Sequence, residues 1–310
     1  MVGLVLGGCF GRASGPATSG RWVEEMTSPT ASLRSLGGSA ELGVYAGARG
    51  LYRREAGQWA LVPGTDAHVW NDMAVVGSEL WAVGESGGVL RLGPGGAVQQ
   101  AEVEGVPSAF YNVSSAQGAV YANAADERLW RWDGASWAVS TPGELTGHTL
   151  GAMFALGPDR VIAHVPPKST GKALHMGSLD GGRWTVETRG KRWAYVASMR
   201  GAGPDAVWAV GMAHAGLFGK TGFAMRWDGA RWVDEALPVS VPLNDVSVRG
   251  PTDAVAVGQQ GTLLRWDGRA WSTLATGGKL PFTRVFAAPD GQIYVVENGA
   301  RLLRWDGGSP

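Results

Sequence analysis

Gly261-Thr262-Leu263-Leu264-Arg265-Trp266-Asp267-Gly268-Arg269-Ala270-Trp271 reads as a single β-hairpin, and degraded copies of it recur along nearly the whole chain. Leu263 to Trp266 is a β-prone run. Asp-Gly can supply the two positive-φ positions of a tight type I′ turn, and Ala270-Trp271 opens the returning strand. With Asp267-Gly268 as the loop, Leu264, Trp266 and Trp271 share one face, Leu264 lies opposite Trp271, and Trp266 is diagonal to it. Three large apolar side chains on one face require that face to be buried.

The strand that precedes each hairpin can be aligned in seven copies: Val44-Tyr45-Ala46, Leu80-Trp81-Ala82, Val120-Tyr121-Ala122, Val161-Ile162-Ala163, Val207-Trp208-Ala209, Ala254-Val255-Ala256 and Ile293-Tyr294-Val295. Their central residues are spaced by 36, 40, 41, 46, 47 and 39 positions, which suits one four-stranded blade of a β-propeller. The hairpin turn returns as Arg131-Trp132-Asp133-Gly134, Arg226-Trp227-Asp228-Gly229 and Arg304-Trp305-Asp306-Gly307, with decayed forms at 53–57 and 178–182. A tryptophan, Trp59, Trp137, Trp184, Trp232 or Trp271, opens the fourth strand in five copies; the second copy, Arg91 to Val98, lacks both tryptophans.

The last copy stops after its third strand, while Arg21-Trp22-Val23-Glu24-Glu25 near the start matches Arg231-Trp232-Val233-Asp234-Glu235. The N-terminal segment is therefore expected to complete the seventh blade. The wrap-around spacing from Tyr294 to Tyr45 is then 41, in line with the internal period. Such closure leaves no long unpaired edge. The predicted fold is all-β: a seven-bladed propeller of four-stranded blades over residues 21–310, preceded by a leader and tether over 1–20.

Composition agrees with this and narrows the function classes. No helical period persists for three turns, and 15 Trp demand packed cores while 49 Gly and 16 Pro punctuate turns. Charged residues are 17% of the chain, and 27 basic groups balance 27 acidic ones, so no overall field favours nucleic acid or an anionic membrane. Val2 to Cys9 is too short to span a bilayer. Leu6-Gly7-Gly8-Cys9 resembles the lipobox of bacterial lipoproteins, in which the cysteine becomes lipid-modified; the location expected on that reading is a membrane-anchored lipoprotein of the cell envelope, or secretion. Cys9 is the sole cysteine and can form no internal disulfide.

The Val-Trp-Ala-Val-Gly…Leu-Arg-Trp-Asp-Gly-x-x-Trp pattern resembles the tryptophan-rich propeller repeats of secreted lipoproteins from myxobacterial-type bacteria, over residues 21–310. It is more distantly similar to the Asp-box repeats of sialidase-type propellers, whose Asp-x-Gly-x-Thr-Trp spacing differs from the adjacent Asp and Gly found here. The closer resemblance implies a fold and a surface location, since most such proteins have no known activity.

Several motif matches fail on context. Gly84-Glu85-Ser86-Gly87-Gly88 fits a nucleophile elbow but sits in a β-hairpin rather than a strand-to-helix turn. Gly219-Lys220-Thr221 resembles the end of a phosphate loop, but His214 occupies the place of its first glycine. The histidines show no metal-ligand spacing, and no cofactor or metal motif is present.

The residues opening each innermost strand should line the mouth of the central channel. The alignment places Arg34, Asp72, Asn112, Ala152, Val196, Asp245 and Arg284 there, with Asn71, Tyr111, Tyr195 and Asn244 beside them. Arg34, Asp72, Asn112, Asp245, Arg284, Tyr111 and Tyr195 are the candidate ligand-binding residues. A water-filled hydrogen-bonded channel, a small polar ligand, or a cation held by Asp72, Asn112 and Asp245 are the readings this leaves open.

All five lysines, Lys168, Lys172, Lys191, Lys220 and Lys279, fall in loops of blades four to six on that face, and the matching loops of blades one to three carry Asp66, Glu85, Glu102, Glu104, Asp126, Glu127 and Glu144. The basic sector suits an anionic protein or polysaccharide as partner, with aromatic help from Phe218, Trp193 or Phe282; the chain is expected to be a monomer. The function expected is a non-catalytic cell-surface binding or scaffold propeller. The alternative is a glycan-cleaving propeller enzyme, which needs an arginine cluster of which the repeat alignment supplies only Arg34 and Arg284.

Overall fold

The computed structural model describes residues 20–27, 32–106, 108–125, 128–140, 150–166, 173–190, 194–215 and 219–306. Cys9, its lipobox, Lys168, Lys172, Lys191, Trp193 and Phe218 lie outside the described residues. The chain forms seven four-stranded antiparallel sheets, six with their strands in sequence order and the seventh completed by the N-terminal strand, so the fold is a seven-bladed β-propeller. The seventh sheet consists of Phe282–Ala287, Ile293–Glu297, Arg301–Asp306 and, on its outer edge, Arg21–Thr27.

The repeated hairpin departs from a two-residue turn. Trp266 stands directly opposite Trp271 and Leu264 opposite Thr273, so the loop is Asp267 to Ala270 and not Asp267-Gly268. Positive φ falls on Gly268 alone (93°), as it does on Gly134 and Gly229 in the sister turns. The aspartate has another use. Asp267 Oδ1 accepts the amides of Arg269 and Ala270 at 2.8 and 2.9 Å, and Asp133 and Asp228 repeat the arrangement. Those amide hydrogen bonds hold the three carboxyls below the ordinary aspartate range. The decayed copies do use the two-residue turn: Ala56-Gly57 and Gly181-Gly182 each carry two positive φ values and close Glu55 on Gln58 and Asp180 on Arg183.

Leu264, Trp266 and Trp271 share a face as expected, and what buries them is the adjacent blade. Trp208, at the centre of the second strand of blade five, packs edge-on against Trp266 (4.9 Å) and Trp271 (4.8 Å) of blade six. Trp81 of blade two meets Trp132 and Trp137 of blade three in the same way, at 5.6 and 6.1 Å. The seven apolar clusters accordingly each draw residues from two neighbouring blades. In blade two, where the tryptophans are missing, Leu92 and Val98 stand opposite each other and fill the slot with Leu90 around Tyr45 of blade one.

Ring closure follows the same pattern and adds a charged clasp. Trp22 pairs with Trp305 at 4.8 Å, as Trp271 does with Trp266. Glu25, only 5% exposed at its side chain, accepts Arg304 from its own sheet at 2.6 Å, Arg54 from blade one at 2.8 and 3.2 Å, and the Trp59 indole at 3.3 Å. Burial alone would raise the Glu25 pKa, but the two arginines outweigh it and hold the carboxyl below its ordinary value. Its contribution to stability is thus present above the unfolded carboxylate range and is lost as pH falls through the lower folded value.

Replacing Glu25 by Ala would leave two arginines without their shared acceptor. A loss of about 3 to 5 kcal/mol in unfolding free energy is expected by urea titration, against less than about 1 kcal/mol for the exposed neighbour change Glu24→Ala. Equal effects of the two changes would remove the clasp from the closure mechanism.

Candidate functional site

The mouth is built by β-bulges. In blades two, three, five, six and seven the first strand slips register by one residue at its start, between Trp70 and Asp72, Phe110 and Asn112, Val196 and Ser198, Leu243 and Asp245, and Phe282 and Arg284. The bulge keeps one large apolar residue, such as Trp70, Phe110 or Phe282, fully buried while re-aiming the residue after it. That re-aimed residue is Asn71, Tyr111, Ala197, Asn244 or Thr283 at the mouth. The bulges also correct the alignment. Ser35, opposite Gly47, and Ser198, opposite Val210, hold the register of Asp72 opposite Val83, so Arg34 and Val196 are shifted from equivalence.

Polar residues in this ring divide into two groups. The first joins blade to blade. Asp72 Oδ2 accepts the amide of Val113 in blade three (3.0 Å), and Asp245 Oδ2 accepts that of Val285 in blade seven (2.9 Å). One level deeper, Ser114 and Ser247 accept the amides of Ala155 and Ala287 at 2.9 and 3.0 Å. Asn71 and Asn244 each donate to the carbonyl of the next blade's buried phenylalanine, Phe110 and Phe282, at 2.8 Å. Both aspartates are buried and each of their oxygens accepts a hydrogen bond, so two of the three side chains of the cation reading are already engaged.

The second group faces outward. Arg34 donates to Asn71 Oδ1 at 2.9 Å and pairs with Glu85 at 3.2 Å, while Arg284 reaches across the ring closure to the Arg34 carbonyl. Asn112 donates to the Tyr111 carbonyl and its own amide is held by Asn123. Tyr111 and Tyr195 are 52% and 48% exposed, unusual for aromatics in this chain. Lys220 and Lys279 are exposed on the same face. Lys220 sits opposite His214 on a long hairpin, Ala206–Ala215 with Gly219–Trp227, which extends the second and third strands of blade five where loops were expected.

A third channel arginine escapes the repeat alignment. Arg200, two positions beyond Ser198, crosses the lumen to place Nη2 2.5 Å from Oδ1 of Asp72, three blades away. Burial pushes the Asp72 carboxyl up against the pull of Arg200 and of the Val113 and Met73 amides, and Asp72 holds Arg200 above its ordinary value. The pair thereby divides the lumen. Arg34, Arg284 and Arg200 are an arginine set, yet the two lumen carboxylates that would serve as acid and base are bound to amides.

Beneath Tyr195 lies His164, 1% exposed, its ring edge-on to the tyrosine at 5.6 Å and both ring nitrogens without a hydrogen-bond partner among the described residues. A Cβ at Gly151 would come within 2.7 Å of Nδ1, so the glycine lets the backbone lie flat on the imidazole. Burial, with a smaller push from His175, lowers its pKa to about 4. The folded chain therefore binds fewer protons than the unfolded chain between pH about 6.5 and about 4, and stability falls as pH drops through that window. His164→Leu is expected to flatten this part of the pH-stability profile, by about 3 kcal/mol between its ends. An unchanged profile in urea titrations at pH 7 and pH 4.5 would count against a neutral buried imidazole.

No family model and no curated protein matches the chain. Solved structures do, and all share the fold at low identity. YCF48 from Cyanidioschyzon merolae superposes with a TM-score of 0.66 at 12% identity, over 92% of this chain and 98% of that one. A second structure, YCF48 bound to D1 peptide, gives 0.64 at 19% identity over 92% and 94%. A streptogramin B lyase gives 0.71 at 10% identity over 95% and 100%. At these identities the likeness extends to the fold alone.

Proposed function

We propose that this chain is a non-catalytic binding propeller that uses the bulge-built mouth to hold an acidic segment of a partner protein at the bacterial cell surface. The observation that carries the reading is the combination of half-exposed Tyr111 and Tyr195 with Arg34 and Arg284 on a ring whose aspartates are already engaged. Such a surface offers aromatic area and arginine donors, Arg34 being shared with Glu85, while the two lumen aspartates are tied to backbone amides. The peptide-bound propeller of the same fold supports a protein ligand. An acidic polysaccharide is the second ligand the two exposed tyrosines favour, since sugars stack on aromatic faces.

Exposed ion pairs contribute only about 0 to 1 kcal/mol each, so several must act together and the affinity must be salt-sensitive. In a pull-down from cell-envelope extracts, paired changes Tyr111→Ala and Tyr195→Ala should abolish capture. Lys220→Glu with Lys279→Glu should weaken it more than Glu102→Lys with Glu104→Lys. Salt-insensitive capture that survives the tyrosine changes would refute the mouth as the site.

The lipobox resemblance extends the proposal to attachment through an acylated Cys9, with the propeller itself contributing no membrane affinity. Expressed with an intact upstream signal in a bacterium that processes lipoproteins, Cys9→Ser should move to the soluble fraction. Equal partitioning of wild type and variant would contradict the anchor.

A further inference from the structure

On the far side of the Arg200–Asp72 pair the lumen widens into a cavity of about 450 Å³ that opens at the hairpins joining first and second strands. This is the face opposite the mouth. Its shape comes from one layer of the innermost strands. Blades one to three contribute Gly37, Ala74 and Ser114, which leave space, and blades four, five and seven contribute Phe154, Arg200 and Phe286, which supply walls. The volume falls in the range of roughly 300 to 1,000 Å³ typical of small-molecule sites, and the lining offers polar and apolar surface in nearly equal measure.

Those polar groups are unbalanced in a way that selects a ligand. Arg200 uses one donor on Asp72 and one on the Met199 carbonyl, which leaves three of its five N–H groups, Nε among them, without an acceptor among the described residues. Ser114 and Ser247 accept amides, so their hydroxyl hydrogens remain as donors. The two carboxylates nearby are taken, Asp72 by Arg200 and Val113 and Asp245 by Val246 and Val285, and Gln117 on the rim offers a donor and an acceptor alike. Donors are in surplus. A full negative charge would nonetheless approach the Asp72 and Asp245 carboxyls that already face Arg200. The geometry points to a second binding site, for an uncharged amphipathic small molecule with an aromatic or aliphatic body and carbonyl oxygens directed at Arg200.

Three probes with one aromatic body separate the charge classes: N-acetyl-phenylalaninamide (neutral), N-acetyl-phenylalanine (anionic) and phenethylamine (cationic). Titrated calorimetrically into the full chain, the neutral probe should saturate and bind about tenfold more tightly than either ion. Ala202→Trp, at an exposed position on the cavity rim, should weaken it about tenfold or more, and Arg200→Lys, which keeps a cation for Asp72, several-fold. Tyr111→Ala, at the other face, should leave this affinity unchanged, so the cavity and the mouth can fail separately. Failure of the neutral probe to saturate, tighter binding of the anion, or an affinity untouched by Ala202→Trp would each overturn the proposal.

Discussion

The structure depends on one contact repeated around a circle: the central residue of each second strand inserted against the third and fourth strands of the next blade. Trp208 between Trp266 and Trp271 is its fullest form, and Val255 against Trp305 its leanest. No sheet buries its own apolar face, so each blade is stable only with neighbours on both sides. A fully buried tryptophan removes roughly 150 to 250 Å² from water, about 4 to 6 kcal/mol at 25 cal/mol per Å² before entropy is counted. The seventh interface therefore has to form as well, which explains why the chain gives its N-terminal strand to the last sheet and binds it with Glu25.

A second, polar layer does for the inner rim what the aromatic layer does for the outer wall. Asp72, Ser114, Asp245 and Ser247 each accept an amide from the following blade's first strand, at positions where the innermost edge of a sheet would otherwise present unpaired N–H groups to the lumen. Side chains that look like ligand donors in the sequence are thus partly structural. Function is left to the groups the rim does not need: the bulged and flanking residues of the mouth, and the donors of the cavity.

Blade number, blade order and the mode of closure were legible because they are written in repetition; Arg21-Trp22-Val23 could be placed since it copies Arg231-Trp232-Val233. Register at the mouth was not, because a β-bulge inserts one residue without changing composition, which put Val196 where Ser198 belongs. The Asp-Gly turn misled for a different reason. Its aspartate acts through the side chain, capping two amides, rather than through a left-handed backbone. Arg200 was invisible to the alignment since its layer holds Gly, Ala, Ser, Phe or Arg in different blades and so has no consensus to depart from. Tyr111 and Tyr195 were found from neighbouring polar residues, and only their exposure separates them from the many core aromatics.

The direction of the closing strand has a consequence for how the molecule is presented. Arg21 pairs with Asp306 at the end of the sheet where third and fourth strands are joined, so the chain enters the ring from the hairpin face and runs toward the mouth. The closing strand therefore joins the ring on the cavity side, opposite the mouth. Any pull on Arg21 would meet first the ladder between Arg21–Thr27 and Arg301–Asp306, which the Arg301–Glu24 pair and the buried Glu25, at the bulge within it, reinforce.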